Sequence, residues 1–147
     1  MRKAELILVS EPDEALRRLV ADGVDLNNIA VTGIAEWHPA NFFLRAPGGE
    51  WLGGLLSNIW GGWLDVRYVF VVEAARRQGH GRRLLQAAES LAIRHGCFGA
   101  TLETHSFQAL PFYEKQGYEV FGRLDDYPPG HAKFYLRKRL AANDPPA

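Results

Sequence analysis

The sequence predicts an α/β fold: a mixed, mostly antiparallel sheet flanked by helices. Three β-rich segments, Phe42 to Arg45, Trp51 to Trp60 and Leu64 to Val72, follow one another with only turn residues between them, the pattern of an antiparallel meander. After Val72 and again after Thr104 the apolar spacing becomes helical before the next strand begins. Crossover connections, and with them a parallel strand pair, are therefore available. A chain of 147 residues, 47% hydrophobic and 23% charged, has the size and composition of one globular domain.

Taken in order, Ala4 to Val9 reads as a strand closed by Ser10-Glu11-Pro12-Asp13. Glu11, Pro12, Asp13 and Glu14 form a helix start, and Leu16, Leu19 and Val20 recur at i, i+3, i+4, predicting a helix from Asp13 to Ala21. Asp25 to Pro39 is open between readings; Ile29, Val31 and Ile34 alternate as in a short strand. Phe42 to Arg45 is β-rich and Pro47-Gly48-Gly49-Glu50 is a turn. In the strand Trp51 to Trp60, Gly53-Gly54 marks a bulge or a close backbone approach. Gly61-Gly62 between Trp60 and Trp63 is a two-residue hairpin signal leading into Leu64 to Val72. Leu84, Leu85, Ala88, Leu91 and Ala92 line one face of a helix reaching His95, and Gly96 ends it. Gly99 to Thr104 is a strand and Gln108 to Gln116 a helix stopped by Gly117. Tyr118 to Leu124 is a strand, Asp126 to Gly130 a loop, and Lys133 to Arg137 the last strand. Residues 1–141 read as one domain and 142–147 as a frayed tail.

Composition removes several function classes. Seventeen basic and seventeen acidic residues cancel, whereas a nucleic-acid binder usually carries a basic excess. Cys97 is the single cysteine, so no internal disulfide forms and a reducing, cytoplasmic setting is expected. No apolar run approaches the roughly 18 residues of a membrane span. The histidines and Cys97 show no metal-ligand spacing, and no metal is expected.

The neutral sum hides a local excess. Arg76-Arg77-Gln78-Gly79-His80-Gly81-Arg82-Arg83 carries four arginines and no acid between an apolar strand and a long helix. Backbone N–H groups at a helix N-terminus, reinforced by the helix dipole, attract anions. Gly79 and Gly81 can take positive φ, and forked guanidinium donors suit phosphate oxygens. The segment describes a diphosphate site. It is neither of two familiar phosphate loops: Gly81 precedes Arg82-Arg83 rather than Lys-Ser/Thr, and Leu84 stands where a dinucleotide fingerprint has Gly or Ala.

The stretch Val71 to Gly81, with Arg76-x-x-Gly79-x-Gly81, resembles the signature of the GNAT superfamily of acyl-CoA-dependent N-acyltransferases. Ala109-Leu110-Pro111-Phe112-Tyr113-Glu114-Lys115-Gln116-Gly117-Tyr118 resembles the family's later Ala-x-x-Phe-Tyr-x-x-x-Gly-Phe/Tyr segment. The resemblance is good over Leu64 to Leu140. It implies a single-domain GNAT-like fold in which acetyl-CoA, as co-substrate, lies in a V-shaped opening between two splayed strands. Backbone at Phe70, Val71 and Val72 would meet the pantetheine amides. Gln78, Gly79, His80, Gly81 and Arg82 would hold the diphosphate, with Arg76 and Arg77 assisting. Tyr113 takes the position of a tyrosine that protonates or hydrogen-bonds the departing thiolate. Where the family often has Asn this chain has Ser106, and Ser106 or Gln108 would supply a similar bond to the cofactor.

The base that deprotonates the amine acceptor is open among Asp65, Glu103, His105 and a water chain, with Glu103 ranked first. Trp60 and Trp63 read as a cross-strand aromatic pair rather than an acceptor channel. The resulting expectation is an N-acetyltransferase that moves acetyl from acetyl-CoA to an amine of a small molecule or peptide. The alternative is an acyl-CoA-binding module without turnover. Neither nucleic acid nor membrane is expected as a partner; a homodimer is left open.

Overall fold

The structure, a computed structural model, describes residues 3–140. The expected tail, 142–147, lies outside them. The chain divides into two units after Ala35. In the first, α1 (Glu14–Thr32) opens on Asp13, whose carboxylate accepts from the Leu16 N–H at 2.9 Å, satisfying one of the donors a helix start leaves unpaired. It closes on Gly33 at φ 72°, whose N–H donates to the Ile29 carbonyl.

Three readings for this unit are corrected. The helix does not stop at Ala21, and Ile29, Val31 and Ile34 do not alternate as a strand; α1 continues to Thr32. A mid-helix Gly such as Gly23 costs only about 1 kcal/mol against Ala, too little to end a capped helix of this length. Ala4–Val9 carries no strand assignment. Its β propensity is real, but a strand exists only through a ladder partner, and it has none among the described pairings.

The second unit contains β1 (His38–Pro39), β2 (Phe42–Arg45), β3 (Trp51–Trp60), β4 (Trp63–Val71), a 3₁₀ turn (Glu73–Ala75), α2 (His80–Arg94), β5 (Gly99–His105), α3 (Leu110–Lys115), β6 (Glu119–Asp125) and β7 (Ala132–Arg139). The sheet runs β1-β3-β4-β5-β7-β6, with β2 also paired to β3. Every pairing is antiparallel except β4 with β5. The expected meander is therefore present. The hairpin turns on Gly61 and Gly62, both at positive φ, with Trp60 opposite Trp63, as a type I′ turn requires. Gly53 serves close approach: a Cβ there would collide with the Phe70 carbonyl oxygen of the neighbouring strand.

The core lies between this sheet and α2. Leu84, Leu85, Ala88 and Ala92 repeat along one helical face and meet Leu55, Leu64 and Leu136 from three strands. Glu89 is buried on the same helix, and its carboxylate accepts from Lys138 Nζ on β7 at 2.8 and 2.9 Å. The helix ends as expected, with Gly96 at φ 79° just beyond it.

The feature that positions the site is where β4 and β5 part. Their pairing starts at Trp63–Gly99 and ends at Val66–Leu102. Beyond it, β4 stays paired with β3 as far as Val71, and β5 stays paired with β7 as far as His105. At that point the β3–β4 register slips from Ser57–Val66 to Leu56–Tyr68, leaving Arg67 as an extra residue. Such a bulge bends its strand. It also switches side-chain parity: Leu64 and Val66 face the core before it, Val69 and Val71 after it.

Candidate active site

Beyond the bulge, the end of β4, the arginine-rich loop, the start of α2 and the face of α3 enclose a cleft of about 620 Å³. Val69 and Val71 form its strand side; Arg76, Arg77, Gly79, His80, Gly81 and Arg82 form its loop side; Phe112 and Tyr113 close it from α3. The loop needs unusual backbone to do this. Gly79, the residue capping α2, sits at φ 80°, and Arg77 at φ 61°, a left-handed conformation that costs a side-chain-bearing residue about 1 kcal/mol. The N–H groups of His80, Gly81 and Arg82, in the first turn of α2, have no intrahelical acceptor. Three guanidinium groups and these donors line a cleft with an apolar strand edge beside it. That chemistry fits a diphosphate joined to an amide-bearing arm.

Positive φ at both glycines is corrected: Gly81 is helical, within α2. Its missing Cβ instead makes room for α3, since a Cβ there would stand 3.2 Å from the Phe112 ring. Arg76 Nε donates to the Val71 carbonyl at 2.8 Å and its guanidinium lies 5.7 Å from the Phe70 ring centroid. Of the three strand residues named from sequence, only Val71 lines this cleft. Phe70 and Val72 line an apolar groove with Tyr68 and Trp51 instead. Val69, Lys115 and Gln116 line the cleft and were not anticipated. The parity switch is the reason: in an unbroken apolar run, Tyr68-Val69-Phe70-Val71-Val72, nothing says which alternate residues turn inward.

Tyr113 is 9% exposed, wedged edge-on between Phe112 and Tyr118 at centroid distances of 5.1 and 6.1 Å. Burial raises its phenol pKa, so it stays a neutral O–H donor.

The mouth of the splay is a second hollow of about 270 Å³, where Asp65, Arg67, Glu103, His105 and Gln108 converge. All three protein candidates for the base are thus brought together. Glu103 is exposed and accepts from Lys133 Nζ at 2.7 Å; that hydrogen bond raises the Lys133 pKa. Asp65 pairs with Arg67 at 3.1 Å. His105 lies parallel to the Tyr127 ring at 5.6 Å. The Gln108 carbonyl oxygen accepts from the His105 backbone N–H at 2.7 Å, capping the end of β5. Ser106 is elsewhere: its Oγ accepts from the Ala132 N–H at 3.0 Å and ties β5 to the start of β7.

A parallel strand pair that splays at a bulge, with a cationic helix-start cleft on one side and a tyrosine from the next helix, defines an acyl-CoA-dependent transferase fold. The model of the acetyltransferase (GNAT) family matches residues 12–118, and the chain belongs to that family. An acetyltransferase of Agrobacterium fabrum is 32% identical over 91% of this chain and 98% of its own. Blasticidin-S acetyltransferase of Streptomyces morookaense is 41% identical over 63% of this chain and 68% of its own. A crystal structure from Agrobacterium tumefaciens superposes with a TM-score of 0.86 at 32% identity, covering 92% of this chain and 99% of that one. GNAT acetyltransferases use acetyl-CoA. Among the described residues, no helix is long and apolar enough to cross a membrane.

Proposed function

We propose that this protein transfers the acetyl group of acetyl-CoA to an amine of a small molecule or peptide by direct attack, residues 1–141 acting as one catalytic domain in a reducing cytoplasm. The observation that carries the reading is the β4–β5 splay with chemically different hollows on its two sides. Acetyl-CoA supplies an acyl group on a thiol leaving group. Arg76, Arg77 and Arg82, with the N–H groups opening α2, bind its diphosphate; the Val71 edge and Gln108 orient the arm. Tyr113 holds its phenol proton toward the sulfur. An ammonium acceptor has a pKa near 10.4 and must lose a proton before attack. Glu103, assisted by Asp65 or His105, takes that proton at the mouth. The C–N bond then forms as the C–S bond breaks, and Tyr113 donates a proton or hydrogen bond to the departing thiolate.

The test is thiol release by the purified protein across a panel of amines, with acetyl-CoA binding read by thermal shift alongside. Binding with turnover of some amine is expected. Absence of acetyl-CoA binding overturns the reading, and binding without turnover of any amine leaves a binding module instead. Tyr113→Phe is expected to lower kcat on the order of 100-fold with little change in the acetyl-CoA KM; full activity of the variant removes Tyr113 from the chemistry.

A further inference from the structure

Beyond the mouth of the splay, on the face of β4 turned away from the core, lies a third hollow of about 330 Å³. Its walls are Trp37, Trp60, Trp63 and Tyr135; its charged groups are Asp65 and Glu103; no Lys or Arg lines it. Trp37 stacks on Trp60 at 5.6 Å with 20° between the planes, and Trp60 is the cross-strand partner of Trp63, so the indoles form one continuous wall. Indole faces carry negative quadrupolar charge and attract cations. The two carboxylates add the same sign. Asp65 and Glu103 also line the mouth, so one hollow opens into the other.

The cations that hold these carboxylates stand outside the hollow. Arg67 on Asp65 and Lys133 on Glu103 form ion pairs with exposed carboxylates, the kind that exchange readily for an incoming cation. Lys133 keeps the faces of Tyr127 and Tyr135, at 4.9 and 5.4 Å, when Glu103 turns to another partner.

We propose that this hollow selects the acceptor: the amine acetylated at the mouth belongs to a molecule bearing a second, separate positive charge, a planar guanidinium-type cation held by the indoles and by Asp65, while Glu103 faces the reacting amine. A planar cation both stacks on indole and bonds carboxylate in a forked geometry. The assignment of the mouth as the reaction centre rests on the acetyl transfer proposed above; the affinity of the hollow for cations does not.

Agmatine, with one amine and one guanidinium, is compared with n-heptylamine, similar in length but singly charged. Binding is read first without acetyl-CoA, by tryptophan fluorescence, and turnover second, by thiol release. Agmatine is expected to bind about tenfold more tightly than n-heptylamine, in line with a partly desolvated cation–π contact. That advantage is expected to fall to about threefold or less in Trp37→Ala and in Asp65→Asn, while the thermal shift given by acetyl-CoA persists and shows both variants folded. Equal binding of the two amines, or an agmatine preference that survives both substitutions, overturns the proposal. Agmatine binding as expected without thiol release from any amine leaves the cation pocket standing and removes the acetyl-transfer reading.

Discussion

Tyr118 and Tyr113 stand side by side, and burial acts on them to different ends. The Tyr118 hydroxyl is fully enclosed and has no hydrogen-bond partner among the described residues. Burial, with the Glu89 carboxylate and Tyr113 adding to it, raises its phenol pKa far above the usual 10.0. The folded state therefore favours the protonated phenol. Its contribution is complete below pH 10, where the unfolded chain's phenol is protonated as well, and is lost as pH rises above that value. Tyr118→Phe removes an unsatisfied polar atom and is expected to be neutral or stabilising by up to about 1 kcal/mol at pH 7. The fall in Tm between pH 9.5 and 11 should also be shallower in the variant; an equally steep fall contradicts the assignment. Tyr113 differs in that it lines the cleft beside α2.

Elements with strong local signals were legible in the sequence, and those set by non-local geometry were not. Trp51–Trp60 is identical in expectation and structure, because the turns that bound it, Pro47 to Gly49 and Gly61-Gly62, are written in residues with few alternatives. The end of α2 at Gly96 was equally clear. Ala4–Val9 failed because propensity does not supply a partner, and α1 was cut short because the apolar spacing of Leu16, Leu19 and Val20 carries no further than Ala21. At the site, the placement of the arginine-rich loop between the end of β4 and the start of α2 was legible from its residues. The division of Tyr68 to Val72 between two faces was not, since a bulge is a property of two strands in register. The loop's backbone gives the prediction at this scale. Gly79→Ala places a side chain at φ 80° and should cost about 1–2 kcal/mol by urea denaturation, with weaker acetyl-CoA binding because the cradle shifts. A variant as stable as the parent would mean the loop relaxes without cost.

Across the whole molecule, neutral charge is the sum of two unlike regions. The cleft beside α2 is lined by arginines, while the only charged groups lining the aromatic hollow are the carboxylates Asp65 and Glu103. The frame that holds these regions apart includes one buried ion pair, Glu89 with Lys138, joining α2 to β7. Removing one member strands the other, and Glu89→Ala should cost about 3 kcal/mol in chemical denaturation; a loss below 1 kcal/mol would show that Lys138 escapes to water. The bulge at Arg67 has a different kind of consequence. What it contributes is a count of residues, not a side chain: any amino acid there keeps β4 one residue longer than β3 across that interval. Arg67→Ala should therefore leave thermal stability and acetyl-CoA binding close to the parent's, while deletion of residue 67 restores strict alternation, keeps Val69 and Val71 in phase with Leu64 and Val66, and removes the bend that opens the gap beside β5. The opening between β4 and β5 is thus written in the length of the chain, and a lineage can respell this position but cannot shorten it without losing the bulge.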